Sequence, residues 1–226
     1  MCNSRIKTIK TNPVKAVFFD LDGTVLDTES LYIHALEQAL EQLGIKNEVN
    51  YPARCIGISG TEMKKLFLCE IGSEQEYEQT LKIAWQLAEK TIKEQGVKVK
   101  NGFFELIEEL NKIGAKAYIV SSTKREFALD KLKITGIYDY FEAFVCGGDY
   151  QNSKPDPEPY LTALKLSGES ANNCIAVEDS AAGLMSATSA GLKCVLIRDL
   201  AEIPPETAEL AFIELKSLKD VIDLIL

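Results

Sequence analysis

The amino-acid sequence predicts an α/β protein, a parallel-sheet core interrupted by one all-helical insertion. Short, nearly continuous apolar runs recur along the chain, the pattern of strands covered on both faces. After residue 100 amphipathic stretches separate most of these runs, an alternation that builds a parallel sheet. Between residues 28 and 98 the runs vanish and the spacing turns helical throughout.

The first run covers residues 15–21. In the helical stretch, Leu31, Ala35, Leu36, Ala39, Leu40 and Leu43 form one stripe that ends at Gly44. Ser59-x-x-Glu62 and Ser73-x-x-Glu76 have the form of capping boxes, in which side chains satisfy the orphan N–H groups of a helix start, and the second helix reaches Gly96. A segment of about 70 residues is long enough for a small bundle. Residues 103, 106, 107, 110 and 113 are apolar at helical spacing, and Gly114 stops that helix as a C-cap. Further runs at 115–120, 143–146, 174–177, 194–197 and 210–215 supply the remaining strands. Asp156-Pro157 opens a helix to about Gly168, with the aspartate as N-cap and the proline in the first turn. The first strand belongs with the later ones. The core is therefore expected from residues 1–27 and 99–226, and residues 28–98 form a candidate cap.

Composition narrows the function. With 226 residues, 46% hydrophobic and 26% charged, the chain reads as soluble and globular. No apolar run approaches the roughly 18 residues of a spanning helix, which argues against a membrane role. The balance of 25 basic against 34 acidic residues gives a net charge of -9, which argues against duplex nucleic acid or an anionic membrane as partner. The basic N-terminal residues are followed by no apolar signal region, so a cytoplasmic protein is expected, with a monomer as the default state. Six cysteines show no C-x-x-C pair, and the only histidine is His34. That pattern excludes a zinc ribbon, a thioredoxin motif and a Cys/His nucleophile pair, and leaves mostly buried free thiols.

Four short signals carry the chemistry. Asp20-Leu21-Asp22-Gly23-Thr24 follows the first apolar run, where open α/β sheets place their ligands. Two carboxylates so close, before a glycine that admits backbone approach, could hold a divalent cation and leave one oxygen as nucleophile; the alternative is a plain Asp-Gly turn. Ser121-Ser122-Thr123 lies between a strand end and a helix start, and Thr123-x-x-Glu126 reads as another capping box. Such a place suits an anion or a simple N-cap. Lys154, before Pro155-Asp156-Pro157, sits at a rigid turn, either aimed at a ligand or merely solvated. Glu178-Asp179-Ser180 closes a buried run with adjacent acids, which would repel Asp20 and Asp22 unless a cation such as Mg²⁺ lay between them, or would act as N-cap acids.

Together these four signals resemble the motif set of the haloacid dehalogenase superfamily, and nearly the whole chain takes part in the likeness. Asp27-Thr28, Gly57-Ile58-Ser59 and Ser121-Ser122-Thr123-Lys124 are similar to its β-phosphoglucomutase-like branch. The resemblance implies a Rossmann-like core with an inserted helical cap. It further implies Asp20 as nucleophile toward phosphorus and Asp22 as acid and base. Ser121, Ser122 and Lys154 would hold the phosphoryl group, and Mg²⁺ would lie on Asp20, the Asp22 carbonyl and Asp179, with Glu178 nearby. An acid at position 22 points to phosphate esters, since the family's dehalogenases commonly carry tyrosine there and its phosphonatases alanine. The expected substrate is a small phosphorylated metabolite such as a sugar phosphate.

Two departures favour a phosphatase over a sugar-phosphate mutase. Tyr32 stands where the mutases carry a cap histidine, and Gly60 where they carry an arginine that grips a second phosphate. Arg54, Lys64 and Lys65 are near enough to substitute or are solvated helix charges. A non-catalytic binding module has no use for both Asp20 and Asp22. Tyr32, Gly57, Ile58 and Gly60 are the candidate cap residues for substrate. Cys55 could face the site, whereas His34 is expected at the surface and Trp85 in the packing of its helix.

Overall fold

The structure, a computed structural model, describes residues 13–56, 58 and 60–226. The chain runs β1 (Ala16–Phe19), α1 (Glu29–Gln42), α2 (Tyr51–Arg54), α3 (Gly60–Glu70), α4 (Glu74–Gln95), α5 (Phe103–Ile113), β2 (Lys116–Lys124) and α6 (Arg125–Ile134). It continues through β3 (Ala143–Gly147), α7 (Glu158–Ser167), β4 (Cys174–Glu178), α8 (Ala181–Ser189), β5 (Lys193–Ile197), α9 (Pro205–Ala208), β6 (Ile213–Leu215) and α10 (Ile222–Ile225). Among the described residues the strands form one parallel sheet of order β3-β2-β1-β4-β5-β6.

Alternation along each strand divides the core into two layers. Val17, Phe19, Ile119, Ile175, Val177 and Val195 pack on one face with Phe103, Leu106 and Leu110 of α5. Phe18, Tyr118, Val120, Ala176 and Leu196 pack on the other with Tyr160 of α7 and Leu184 of α8. Strand order reverses between β1 and β4, which lie in register with Phe19 opposite Val177. The carboxyl ends at this switch point are the usual ligand crevice of doubly wound sheets.

Helices α1 to α4 have an apolar cluster of their own, which includes Leu36, Leu40, Tyr51, Phe67, Tyr77 and Ala84. The insertion leaves and rejoins the core through paired segments: Asp27 N–H donates to Lys98 O at 2.9 Å, and Lys100 N–H to Val25 O at 2.8 Å. Lys100 Nζ also meets Asp27 at 3.2 Å and Asp199 at 2.6 Å. Ser73 and Glu76 make the expected capping box at the start of α4. Ser59, Gly57 and Cys2 lie outside the described residues. Of the described cysteines, Cys55, Cys146, Cys174 and Cys194 are buried and Cys69 is exposed. No helix among the described residues is long and apolar enough to cross a membrane.

Several element ends differ from the sequence-based expectation. β1 stops at Phe19, because Val25 and Leu26 fold their N–H groups back onto Leu21 O in a tight turn. Leu210 and Ala211 belong to the turn closing α9, so β6 is confined to three residues. Helix α7 begins at Glu158, yet Asp156 still serves its start by accepting the Glu158 N–H at 2.9 Å. The box expected at Thr123 does not form. β2 runs on to Lys124, and the Thr123 hydroxyl is spent on a carboxylate across the site.

Candidate active site

Asp20 directly succeeds β1 and stays in the sheet's hydrogen-bond pattern, its N–H on Val177 O at 3.0 Å. Its carboxylate is therefore fixed beside the end of β4. Lys154 Nζ donates to Asp20 Oδ1 at 2.6 Å, to Glu178 Oε1 at 2.6 Å and to Val120 O at 2.8 Å. Glu178 is fully buried and also accepts from the Tyr160 hydroxyl at 2.6 Å and the Ser180 hydroxyl at 3.3 Å. It is not an N-cap acid. That role falls to Ser180, whose Oγ accepts the Gly183 N–H. A Cβ at Gly183 would lie 2.0 Å from the Glu178 carboxylate, which explains the small residue in the first turn of α8.

One oxygen each from Asp20, Glu178 and Asp179 can be chosen within 4.8 Å of one another, all on buried residues. Burial pushes the Asp20 carboxyl up to about 7, with Lys154 opposing the rise and Glu178 adding to it. Burial and the charges of Asp20 and Glu178 also push Asp179 up, with the Thr24 hydroxyl at 2.9 Å as its stabilising donor. Clustered hard oxygen donors with excess negative charge fit a divalent cation. Asp20 and Asp179 could hold such a cation, with Glu178, which accepts from Lys154, Tyr160 and Ser180, beside them.

Gly23 turns the motif loop at φ +88°, and a Cβ there would fall 2.1 Å from Asp179 Oδ2. Gly23→Ala is expected to cost about 1–2 kcal/mol from the left-handed backbone alone, and to displace Asp179 as well. Urea unfolding checks the first effect. An unchanged midpoint would mean that the loop does not need the left-handed backbone at Gly23.

Asp22 is held by a separate set of partners. Its carboxylate accepts from the Thr28 hydroxyl at 2.9 Å, from the Thr123 hydroxyl at 2.6 Å and from Lys131 Nζ. Burial works against its charge, but the Lys131 ammonium and these hydrogen bonds outweigh burial and hold the carboxyl below its ordinary range. Lys131, only 3% exposed, also reaches the Tyr32 hydroxyl at 3.3 Å and lies over the Tyr32 ring, linking α6 of the core to α1 of the insertion.

The β2–β3 register slips between Val120 and Lys124, and Ser121, Ser122 and Thr123 from this bulge line a cavity of about 400 Å³ with Asp20, Asp22, Lys154 and Asp179. Tyr32, Ile58, Gly60 and Cys55 line it from the insertion; Gly57 lies outside the described residues. His34 is exposed. Trp85 corrects the expectation of plain packing. It is 45% exposed, lines the cavity, meets Tyr32 edge-on and stacks on Phe127 of α6. The buried face of α4 is Tyr77, Thr80, Ala84, Ala88 and Ile92, and Trp85 stands beside it toward the cleft. Sequence reasoning missed Lys131 and Tyr160, and also Glu29, which lines the cavity from the first turn of α1, because nothing local marks which polar residue of a helix faces a distant site.

A carboxylate pinned beside a buried lysine, hydroxyls on a bulged strand and an acidic trio, all at the switch point of a parallel sheet, define an α/β enzyme built to work on an anionic group. The chain belongs to the haloacid dehalogenase-like hydrolases, whose family model matches residues 17–197, and within them to the β-phosphoglucomutase-like branch. It is 30% identical over 190 residues to the β-phosphoglucomutase of Bacillus subtilis, covering 80% of this chain and 82% of that one. It is 28% identical over 180 residues to the phosphorylated carbohydrates phosphatase of Thermotoga maritima, covering 80% and 83%. The crystal structure of CbbY from Rhodobacter sphaeroides has the same fold, with a TM-score of 0.77 at 22% identity over 94% of this chain and all of that one.

Proposed function

We propose that this chain is a Mg²⁺-dependent phosphatase that hydrolyses a small phosphate monoester through an aspartyl-phosphate on Asp20, with residues 28–98 acting as a cap over the site. The observation that carries the reading is the Asp20–Lys154 pair at the switch point, beneath a cavity walled by the insertion. In the first step an Asp20 oxygen bonds to phosphorus, the phosphorus–ester oxygen bond breaks, and Asp22, which takes up a proton from solvent once it has turned away from Lys131, gives that proton to the departing alkoxide. In the second, Asp22 takes a proton from water as the water oxygen attacks phosphorus, which releases inorganic phosphate and restores Asp20. A carboxylate nucleophile splits one hard displacement into two. Lys154 and the donors of Ser121 and Ser122 would hold the phosphoryl oxygens. Mg²⁺, held by Asp20, Asp179 and the Asp22 carbonyl, would offset repulsion between carboxylates and phosphate. Asp22, held by Lys131 and two threonines, must turn from them to reach a leaving group, and the Tyr32 contact ties that movement to the cap. The acidic chain fits a cytoplasmic enzyme, working as a monomer on small metabolites, better than a partner of nucleic acid or membranes.

A mutase reading needs positive charge on the cap side for a second phosphate. Arg54 is forked onto Glu70 and Lys64 is paired with Glu74, both away from the cavity lining. The test incubates wild type and Asp20→Asn with Mg²⁺ and β-glucose 1-phosphate doped with the 1,6-bisphosphate, followed by phosphorus NMR and extended to other phosphate esters. Asp20-dependent inorganic phosphate is expected. Glucose 6-phosphate without free phosphate would establish the mutase instead. Mg²⁺ is also expected to raise the melting temperature of wild type more than that of Asp179→Asn, and equal shifts would refute the assigned metal site.

A further inference from the structure

The cavity above Asp20 has two chemically different halves. Its floor is polar, built from the carboxylates, hydroxyls and lysine already described. Its roof, supplied by the insertion, is formed by Ile33, Leu36, Ile58, Met63, Leu81 and Trp85 among others. Among the described residues, no Lys, Arg, His, Asn, Gln, Ser or Thr of the insertion lines it. Among the described residues the polar side chains there are Tyr32, whose hydroxyl is engaged by Lys131, the acid Glu29 and the weakly polar Cys55 thiol.

A leaving group is recognised by what surrounds it once its phosphate sits on the floor. Hydroxyls of a sugar would meet a wall that offers almost no partners, and buried polar groups without partners are penalised. Among the described residues a second phosphate at the roof would meet the Glu29 carboxylate and no lining cation, and Lys131 behind Tyr32 is already paired with Asp22. An apolar group instead gains the burial that such pockets provide. The Tyr32 and Trp85 rings, 5.5 Å apart edge to face, add an aromatic wall backed by Phe127. Burial, with Asp199 and Asp22 adding, pushes the Glu29 carboxyl up to about 7, so this one acid of the roof is itself poorly solvated.

We infer that the substrate's leaving group is predominantly apolar, an aliphatic or aryl-alkyl alcohol esterified to a single phosphate, in preference to a polyol or a bisphosphate. The inference rests on the phosphatase reading and narrows its substrate class away from sugar phosphates.

The experiment compares kcat/KM for benzyl phosphate and hexyl phosphate with that for glucose 6-phosphate and glycerol 3-phosphate, all esters of primary alcohols. Acetyl phosphate, which presents only a small group to the roof, serves as reference. The two apolar esters are expected to exceed both polyol esters by about tenfold or more. A second readout is binding. Trp85 is the only tryptophan, and in Asp20→Asn its emission should respond to benzyl phosphate at concentrations about tenfold below those needed for glucose 6-phosphate. Polyol esters that match or beat the apolar ones, with Asp20-dependent acetyl phosphate hydrolysis intact, would overturn the inference and leave the phosphatase standing. Loss of Asp20-dependent acetyl phosphate hydrolysis would refute the phosphatase reading and the inference with it.

Discussion

Asp20→Asn is expected to lower turnover of every phosphate ester by about 10⁴-fold or more, the scale on which removal of a covalent nucleophile acts elsewhere. The substitution is close to isosteric, and the asparagine carbonyl can still accept from Lys154 Nζ, which stands 2.6 Å from Asp20 Oδ1. The fold should therefore survive while the nucleophile is lost. It also removes one of three clustered carboxylates, so the metal-free variant should melt no lower than wild type. Rapid-quench detection of acid-precipitable phosphate on wild type and its absence from the variant, together with a Trp85 emission response of the variant to added substrate, separate loss of the nucleophile from loss of substrate binding. A variant that keeps a tenth of wild-type turnover would exclude Asp20 as nucleophile.

Lys154→Met should act on stability as strongly as on activity. Its ammonium joins two buried carboxylates, Asp20 and Glu178, and burial alone would disfavour the charged form were those two charges not there to raise its pKa. Removing one partner from a buried ionic cluster typically costs about 3–5 kcal/mol, because the remaining charges are left without compensation. For a chain of this size that corresponds to a fall in melting temperature of about 6–20 °C. Calorimetry without metal and with Mg²⁺ measures it, and the loss should shrink when the cation supplies positive charge to Asp20. A melting temperature within 2 °C of wild type, a threshold below that range, would mean that Asp20 and Glu178 do not depend on the lysine.

Much of the frame was legible in the chain because it is written in local patterns. A strand covered on both faces must be apolar throughout, so residues 16–19, 117–120 and 174–177 announce themselves, and the residues just beyond each apolar run lie toward the sheet's carboxyl edge by geometry. Asp20 and Asp179 could be located as strand-end residues for that reason, Ser121 as the residue that follows the apolar part of β2, and Lys154 by its turn. Tyr32, Ile58 and Gly60 line the cavity, and so does Trp85, for which the sequence suggests plain packing.

The sequence by itself determined the sheet, the helical insertion and the order of the four motifs, since burial on two faces and helical periodicity are properties of consecutive residues. Only the tertiary structure decided that Lys131 reaches Asp22 across 109 positions of sequence, that Thr123 answers the same carboxylate instead of capping a helix, and that Arg54 and Lys64 pair away from the cavity. A helix's apolar stripe fixes which face is buried. The residues on its border turn toward a cleft or toward water according to how the helix is rotated against its neighbours, and that rotation is set by packing between segments distant in the chain.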